Sequence, residues 1–124
     1  MKLVKAICLF SLWVTLCGTI TAQEEPKPLK HVLLFDWKED IEASKKEQVL
    51  ELFRGLVDKV DGFNGLSIED ITKSSGNFDI VLILEFTSEE PLKAYELHPD
   101  HIKISEMAPP LLTSFSTFDF YGNF

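Results

Sequence analysis

Residues 78–86 constrain the fold more than any other part of the sequence, because residues 80–84 are five consecutive apolar residues. Successive side chains of a β-strand point to opposite faces of the sheet, so a strand formed here must bury both of its faces. Helices of the same chain can cover one face. The rest of the sequence holds no spare strands for the other face, and it therefore predicts a homodimer packed sheet to sheet.

Alternation between apolar and polar residues predicts three further strands. They cover residues 30–37, 66–73 and 114–121. In the first strand, His31 and Leu33 share one face and Val32 lies on the other. In the last strand, Phe118 lies opposite Phe115. The pattern leaves open which face of the first strand is exposed.

Two helical regions separate these strands. Residues 44–60 place apolar side chains at steps of three and four, which is typical of an amphipathic helix, and Ser44 with Glu47 predicts a capping box at its start. A second helix begins at residues 87–90 and runs to His98, and Pro99 suits the first position of a fresh helical segment. The order βαββαβ predicts a ferredoxin-like α+β fold, with a four-stranded antiparallel sheet and helices on one face.

The N-terminal residues have the pattern of a signal peptide. Lys2 and Lys5 precede an apolar run over residues 6–16, which is too short to span a membrane. Ala22 is a plausible cleavage point, and lipidation at Cys17 is the alternative. We expect a signal peptide at residues 1–22, a linker at 23–29 and one domain at 30–124, and hence a periplasmic or secreted protein.

Composition excludes several classes of function for the mature chain. Cys8 and Cys17 both lie in the predicted signal peptide, which excludes disulfides, a thiolate nucleophile and cysteine-ligated metals. Cleavage after Ala22 removes Lys2 and Lys5 but no acidic residue, so the net charge changes from −8 to −10. A charge of that sign repels nucleic acids and anionic lipids. We therefore predict no nucleic-acid partner and no membrane partner after cleavage. We also assign no cofactor.

Tyr95, His98 and His101 form the run Tyr-Glu-Leu-His-Pro-Asp-His, which holds two of the three histidines of the chain. The third, His31, lies at the start of the first strand. Histidine is the side chain whose ordinary pKa lies closest to neutral pH. In a catalytic interpretation, the helix break at Pro99 brings His101 to Tyr95. His101 then abstracts a proton next to a carbonyl group, and Tyr95 donates a hydrogen bond to the developing oxyanion. His31 and His98 are candidate ligand-binding residues.

Two other interpretations give the same residues no catalytic role. In a structural interpretation, Tyr95 packs on the sheet and bonds its hydroxyl to a polar neighbour, His98 caps the helix break, and His101 bonds a backbone carbonyl or His31. In the other, His98 and His101 bind a divalent metal ion together with Asp100. A metal site requires converging ligands, and we assign none.

The chain from residue 30 to residue 121 resembles the stress-responsive A/B barrel domain family. Tyr95 with His98-Pro99-Asp100-His101 is the most specific motif of the resemblance. The others are Lys30-His31-Val32, Phe78-Asp79, Glu85-Phe86-Thr87-Ser88 and Phe118-Asp119-Phe120. The resemblance implies a dimeric α+β barrel in which two four-stranded sheets pack face to face with the helices outside.

Most members of that family have no assigned activity. A few plant members catalyse the aldol cyclisation of a linear polyketide, and the resemblance implies that Tyr95 and His101 correspond to their catalytic tyrosine and histidine. Ile80 stands where those enzymes carry a further histidine on the third strand.

Two functions are therefore compatible with the sequence. The first is an exported module, related to stress or to the binding of a small apolar ligand between sheet and helices. The alternative is a cofactor-independent enzyme, similar to a polyketide cyclase or a small monooxygenase, with His101 as general base and Tyr95 as its partner. A cavity beside His101 and Tyr95 is required by the enzyme, and Phe and Leu side chains filling that space would exclude it.

Overall fold

The computed structural model describes Gly18 and residues 20–123. The predicted signal peptide therefore lies almost entirely outside the described residues. The elements are β1 (Leu29–Trp37), α1 (Ala43–Leu56), β2 (Phe63–Asp70), β3 (Ile80–Phe86), α2 (Glu89–Leu97), α3 (Pro99–Met107) and β4 (Leu112–Tyr121), with a 3-10 turn at Pro109–Leu111 before β4.

The four strands form one antiparallel sheet in the order β2-β3-β1-β4. In the central strand β1, Val32 pairs with Ile83 of β3 on one side and with Phe118 of β4 on the other. The helices pack on one face of this sheet and share a single hydrophobic core with it. The predicted ferredoxin-like α+β fold is confirmed.

The core consists of alternate side chains of β1 and β3 together with the apolar faces of the helices. The rings of Phe35 in β1 and Phe53 in α1 lie 6.1 Å apart. In β3, Leu82, Leu84 and Phe86 are completely buried. Full burial of a side chain of this size stabilises the fold by about 1.5–3 kcal/mol. The face of β1 that carries Phe35 is therefore the face covered by the helices.

Helix α1 begins one residue earlier than predicted and ends at Leu56. Glu42 occupies the N-cap position, and its side chain makes no capping hydrogen bond. The predicted capping box is therefore wrong, because Ser44 already lies inside the first turn. Glu47 instead accepts a hydrogen bond from Arg54 at 2.5 Å on the exposed side of the helix.

Strand β2 also begins earlier than predicted, at Phe63. The Phe63 ring packs 4.6 Å from that of Phe86, so the start of β2 contributes to the core. A register shift between Phe63 and Gly65 interrupts the regular pairing with β3. Because such an irregularity breaks the two-residue alternation of side chains, the apolar pattern alone does not locate the start of this strand.

The other face of the sheet carries a second apolar surface, which we call the open sheet face. Its apolar residues are Val32, Leu34, Val81, Ile83, Phe118 and Phe120. The Phe118 side chain is 50% exposed, and Lys30 and Glu85 form an ion pair on the same face. Among the described residues, no helix packs on this face, and none of the helices is long and apolar enough to cross a membrane.

Candidate functional site

The break between α2 and α3 is built by His98 and Pro99. His98 has an extended backbone, with φ −66° and ψ 138°, and is both the C-cap of α2 and the N-cap of α3. Its Nδ1 accepts a hydrogen bond from the backbone N–H of Asp100 at 3.1 Å. Pro99 occupies the first helical position of α3, where its missing N–H has no consequence.

This break brings His101 against Tyr95. Six residues of a continuous helix correspond to about one and two-thirds turns, so the two side chains would point in different directions without it. In the structure their ring centroids lie 4.4 Å apart. The prediction that the break unites these two residues is confirmed by this distance.

His101 is half-buried and held in one tautomer. Its Nδ1 lies 2.9 Å from the backbone carbonyl oxygen of Glu96. A carbonyl can only accept a hydrogen bond, so Nδ1 carries the hydrogen and Nε2 is left with a lone pair. Burial lowers the pKa of His101 below its ordinary value, opposed by the hydrogen bond to Glu96 and the charge of that residue. A neutral imidazole of this kind is a competent base at neutral pH.

Tyr95 is completely buried at the centre of an aromatic cluster. Its ring lies 5.3 Å from Phe86, 5.7 Å from Phe63 and 6.0 Å from His31, measured between centroids. Among the described residues, its hydroxyl is the buried side-chain polar atom without a hydrogen-bond partner. The expected bond from this hydroxyl to a polar neighbour is therefore absent from the described part of the chain. Burial, and to a smaller extent Glu96, raises the pKa of the phenol above its ordinary value.

A pocket of about 230 Å³ lies beside this pair, between the sheet and α3. Its walls are mostly apolar and come from β1, α1, α3 and β4; they include Leu33, Phe35, Phe53, Ile104, Leu112 and Phe115. Tyr95, His101 and Ser105 are the polar side chains among its lining residues. The Ser105 hydroxyl donates to the His101 carbonyl oxygen at 3.1 Å, which leaves Tyr95 and His101 to meet a ligand.

His31 lies behind Tyr95 and not in the wall of the pocket. The His31 and Tyr95 rings meet edge to face at 64°, and His31 Nδ1 lies 2.5 Å from Asp119 Oδ1. In the sequence, Asp119 stands out only as part of the family motif Phe118-Asp119-Phe120. Asp119 lies in β4 on the same face as Phe115 and opposite Phe118, and this alternation places it on the helix-covered side of the sheet.

His98 is placed as a cap and is not among the residues that line the pocket. The Nδ1 atoms of His98 and His101 are both used in hydrogen bonds to the backbone, and the Asp100 carboxylate pairs with Lys59 at 2.6 Å. Within Gly18 and residues 20–123, no group of three or more His, Cys, Asp or Glu side chains could hold a metal ion. The metal interpretation of this run is therefore not supported.

The motifs, the fold and the helix break all point to one family of proteins. Residues 29–121 match the sequence profile of the stress-responsive A/B barrel domain. The chain belongs to the stress-responsive A/B barrel domain family. This match covers every strand and helix of the A/B barrel domain described above.

Solved structures with the same fold come from several organisms. The A/B barrel chain is similar to a dimeric ferredoxin-like protein of unknown function from Thermobifida fusca, with 22% identity, a TM-score of 0.67, and coverage of 82% of this chain and 96% of that one. A dimeric ferredoxin-like protein from Bacteroides fragilis is 21% identical, with a TM-score of 0.60 and coverage of 77% and 96%. Hydroxynitrile lyase from Passiflora edulis is 11% identical, with a TM-score of 0.71 and coverage of 79% and 95%.

At these identities the similarity shows the fold alone. Two of the three neighbours are described as dimeric proteins. No curated protein sequence matches the A/B barrel chain.

Proposed function

We propose that the protein binds a small, mostly apolar ligand that carries one hydrogen-bond acceptor, such as a carbonyl group, in the pocket between sheet and helices. Two observations carry this proposal: Tyr95 lines the pocket, and its hydroxyl is buried with no hydrogen-bond partner among the described residues. A buried polar group left unpaired costs about 1–3 kcal/mol. A ligand oxygen at Tyr95 recovers that cost on binding.

The size and lining of the pocket define the ligand further. A volume of about 230 Å³ exceeds the roughly 150 Å³ that is sufficient for benzene, so one ring with a short substituent fits. The lining residues include no Lys, Arg, Asp or Glu. The favoured ligand is therefore uncharged.

A thermal-shift screen tests this proposal with neutral aromatic and short aliphatic ketones and aldehydes, each paired with the hydrocarbon that lacks the oxygen. We expect some carbonyl compounds to raise the melting temperature of the wild type more than their hydrocarbons do. This difference should disappear in Tyr95→Phe. It should remain in Tyr121→Phe, because the hydroxyl that this variant lacks bonds Glu89 on the surface in the wild type. Equal shifts for ketone and hydrocarbon would rule out a role for the Tyr95 hydroxyl.

Catalysis is the second candidate function, and the tautomer of His101 favours it. With Nδ1–H held by the Glu96 carbonyl, Nε2 is the basic nitrogen and can remove a proton next to the carbonyl of a bound ligand. Tyr95 then donates to the enolate oxygen. Hydroxynitrile lyase from Passiflora edulis is an enzyme with this fold, which supports an enzymatic use of the fold without identifying the reaction.

Proton removal is measured directly by incubating the protein in D₂O with a ketone that it binds and following the loss of the ketone's α-proton signals by NMR. We expect exchange in the wild type and a loss of about 100-fold or more in His101→Gln, the range that general-base catalysis contributes. Ser105→Ala is the matched control, because the Ser105 hydroxyl is engaged with the backbone. Exchange that is no faster with wild type than with His101→Gln excludes this function.

We also propose that the homodimer forms through the open sheet faces. Phe118 is 50% exposed there, and its neighbours on β1 and β3 are apolar. Sedimentation of residues 23–124 should show a dimer at micromolar concentration. A stable monomer at that concentration contradicts the sheet-to-sheet assembly.

Export stays a proposal that rests on the N-terminal pattern of Lys2, Lys5 and the apolar residues 6–16. Fusion of residues 1–22 to a reporter that is active only after export tests it. We expect activity of the fusion outside the cytoplasm and its loss when residues 6–16 carry two aspartates. A fusion that stays inside the cell removes the proposal.

A further inference from the structure

The pocket beside Tyr95 is elongated and follows α3. Its lining residues on this helix are His101, Ile104, Ser105 and Ala108. They recur at steps of three and four and therefore lie on one face of the helix. Seven residues separate His101 from Ala108, which corresponds to a rise of about 10 Å along the axis. The pocket thus extends over two turns of α3.

The sheet wall of the pocket runs in the same direction. At one end, the His31 ring of β1 packs on Tyr95 at 6.0 Å. Leu33 and Phe35 follow on the same face of β1 and line the pocket. Phe35 pairs with Phe115 of β4, a further lining residue. Four residues of a strand span about 13 Å, so the sheet also separates a Tyr95 end from a Phe115 end.

The two ends of the pocket differ in chemistry. Tyr95 and His101 meet at one end, with their ring centroids 4.4 Å apart. Ser105 lies between the ends, and its hydroxyl is bonded to the His101 carbonyl oxygen. At the other end the lining residues are all apolar: Ala108, Pro109, Leu112 and Phe115. A ligand oxygen therefore finds a free hydrogen-bonding group at the Tyr95 end.

The Tyr95 end is closed behind the tyrosine ring. The rings of Phe86, Phe63 and His31 pack around Tyr95 at 5.3, 5.7 and 6.0 Å. Among the described residues, none of these three rings lines the pocket. A ligand whose oxygen reaches Tyr95 thus has apolar wall on one side of its carbonyl group. A second apolar arm would meet these rings or lie in water.

We propose that the ligand is a straight-chain carbonyl compound whose oxygen lies at or next to the end of the chain. The oxygen is held at Tyr95, and the unbranched tail runs along α3 to Ala108. This inference deepens the proposed function and rests on it, since it names the class of ligand for the same pocket.

Ala108 is the residue that determines how long the tail can be. Its side chain is 4% exposed and is the smallest in the pocket wall. It ends the row of lining residues on α3, seven positions after His101. A larger side chain at position 108 would occupy the space that the end of the tail requires. The residue therefore selects chain length and takes no part in holding the oxygen.

Isothermal titration calorimetry with 2-octanone and 4-octanone tests the orientation on the purified protein. The isomers share one formula and one functional group, but 4-octanone places two fewer carbons between its carbonyl group and the far end of the chain. Each methylene group buried in an apolar site contributes about fourfold in affinity. We therefore expect the wild type to bind 2-octanone about tenfold more tightly than 4-octanone. Octane is titrated as the compound without an oxygen.

Ala108→Leu tests the length limit. Its affinity for 2-octanone should fall by about tenfold, since about two methylene groups lose their place, whereas its affinity for 2-butanone should stay unchanged. Ala94→Leu is the matched control, because Ala94 is exposed on α2; it should bind both ketones as the wild type does. Circular dichroism checks that both variants are folded. If Ala108→Leu does not fold, the isomer comparison in the wild type decides alone.

Equal affinity for the two octanones, each bound more tightly than octane, overturns the inference and leaves the proposed function standing. Ketones that bind no better than octane remove the proposed function itself, so the two failures are distinguishable. An affinity for 2-octanone that is the same in folded Ala108→Leu as in the wild type overturns the role of Ala108.

Discussion

The Tyr95 hydroxyl is a single group whose energetic cost can be measured apart from any ligand. It is buried without a partner among the described residues, while its ring packs on Phe63, Phe86 and His101. The ring therefore stabilises the core, and the hydroxyl opposes that stabilisation. A residue retained for packing alone would be better served by phenylalanine.

Tyr95→Phe should therefore raise the free energy of unfolding of the unliganded protein by about 1 kcal/mol, since it removes an unpaired buried polar group and keeps the ring. Urea denaturation measures the change. Tyr121→Phe serves as the control, because it loses an exposed hydrogen bond to Glu89 and should change stability by less than about 0.5 kcal/mol. A loss of stability in Tyr95→Phe would mean that the hydroxyl has a partner in solution.

Burial of His101 gives the protein a stability that depends on pH. Its pKa is lower in the folded protein than the ordinary 6.5. Above pH 6.5 the His101 imidazole is neutral in both the folded and the unfolded protein, and its protonation takes nothing from the stability. As the pH falls from 6.5 towards the folded pKa, the unfolded chain binds the proton first, and stability is lost.

The melting temperature of the wild type should therefore fall more between pH 7.5 and 5.5 than that of His101→Gln. Calorimetry at several pH values in this range measures both. All other titratable groups are common to the two proteins, so the comparison removes their contribution. Parallel curves would show that His101 titrates normally in the folded protein.

Part of this site could be predicted from the sequence, and the reason is local. Tyr95 and His101 are joined by a short segment whose proline requires a new helix, so their approach follows from chain geometry. The pocket and Asp119 could not be predicted in this way. Their walls and contacts come from strands and helices distant in sequence, as the pairing of His31 with Asp119 across 88 residues shows.

At the scale of elements, the connection between α1 and β2 depends on one glycine. Gly62 has φ 85°, in the left-handed region that L-residues with a side chain disfavour. A Cβ placed there would lie 2.4 Å from Pro91 Cγ and 2.8 Å from Thr87 Oγ1. The approach of α2 to this turn is therefore possible only without a side chain at position 62.

Gly62→Ala should destabilise the protein by about 2 kcal/mol or more, because backbone strain adds to the steric overlap. Gly55→Ala in α1 is the matched variant. The nearest neighbour of a Cβ at position 55 would be Lys59 Nζ at 3.9 Å, and alanine should stabilise the helix by about 0.5 kcal/mol. Denaturant unfolding of both variants gives the comparison, and equal effects would refute the close approach at Gly62.

Elements were predicted best where their apolar side chains recur at regular steps. The stripe of α1 and the alternation of β1 gave the correct element types, and the face that carries Phe35 is the buried one. The start of α1 was missed because Glu42 caps it without a side-chain bond, and such a cap leaves no residue pattern. The start of β2 was missed because of its register shift near Gly65.

At the scale of the whole molecule, the doubly apolar β3 remains the feature that constrains the assembly. Leu82 and Leu84 are buried under the helices, and Val81 and Ile83 face the other way. The sequence predicts that a partner covers the open sheet face. It could not predict which residues are most exposed there, because β4 supplies them through pairing with β1 across the chain.

Two phenylalanines of β4 lie on opposite faces of the sheet. Phe118 pairs with Val32 and lies on the open sheet face, whereas Phe115 pairs with Phe35 and lies at the pocket. Both are largely exposed, at 50% and 60%. They are a matched pair of the same residue type on the same strand, and they differ in the face they occupy.

Phe118→Lys should convert the dimer to a monomer, because a charge buried between two apolar sheets without a partner is strongly unfavourable. Phe115→Lys should remain a dimer and lose the ketone-dependent thermal shift, since it alters the pocket. Sedimentation velocity at micromolar concentration measures the assembly, and circular dichroism checks that both variants are folded. A dimer of folded Phe118→Lys, or a monomer of Phe115→Lys, would place the dimer contact away from the open sheet face.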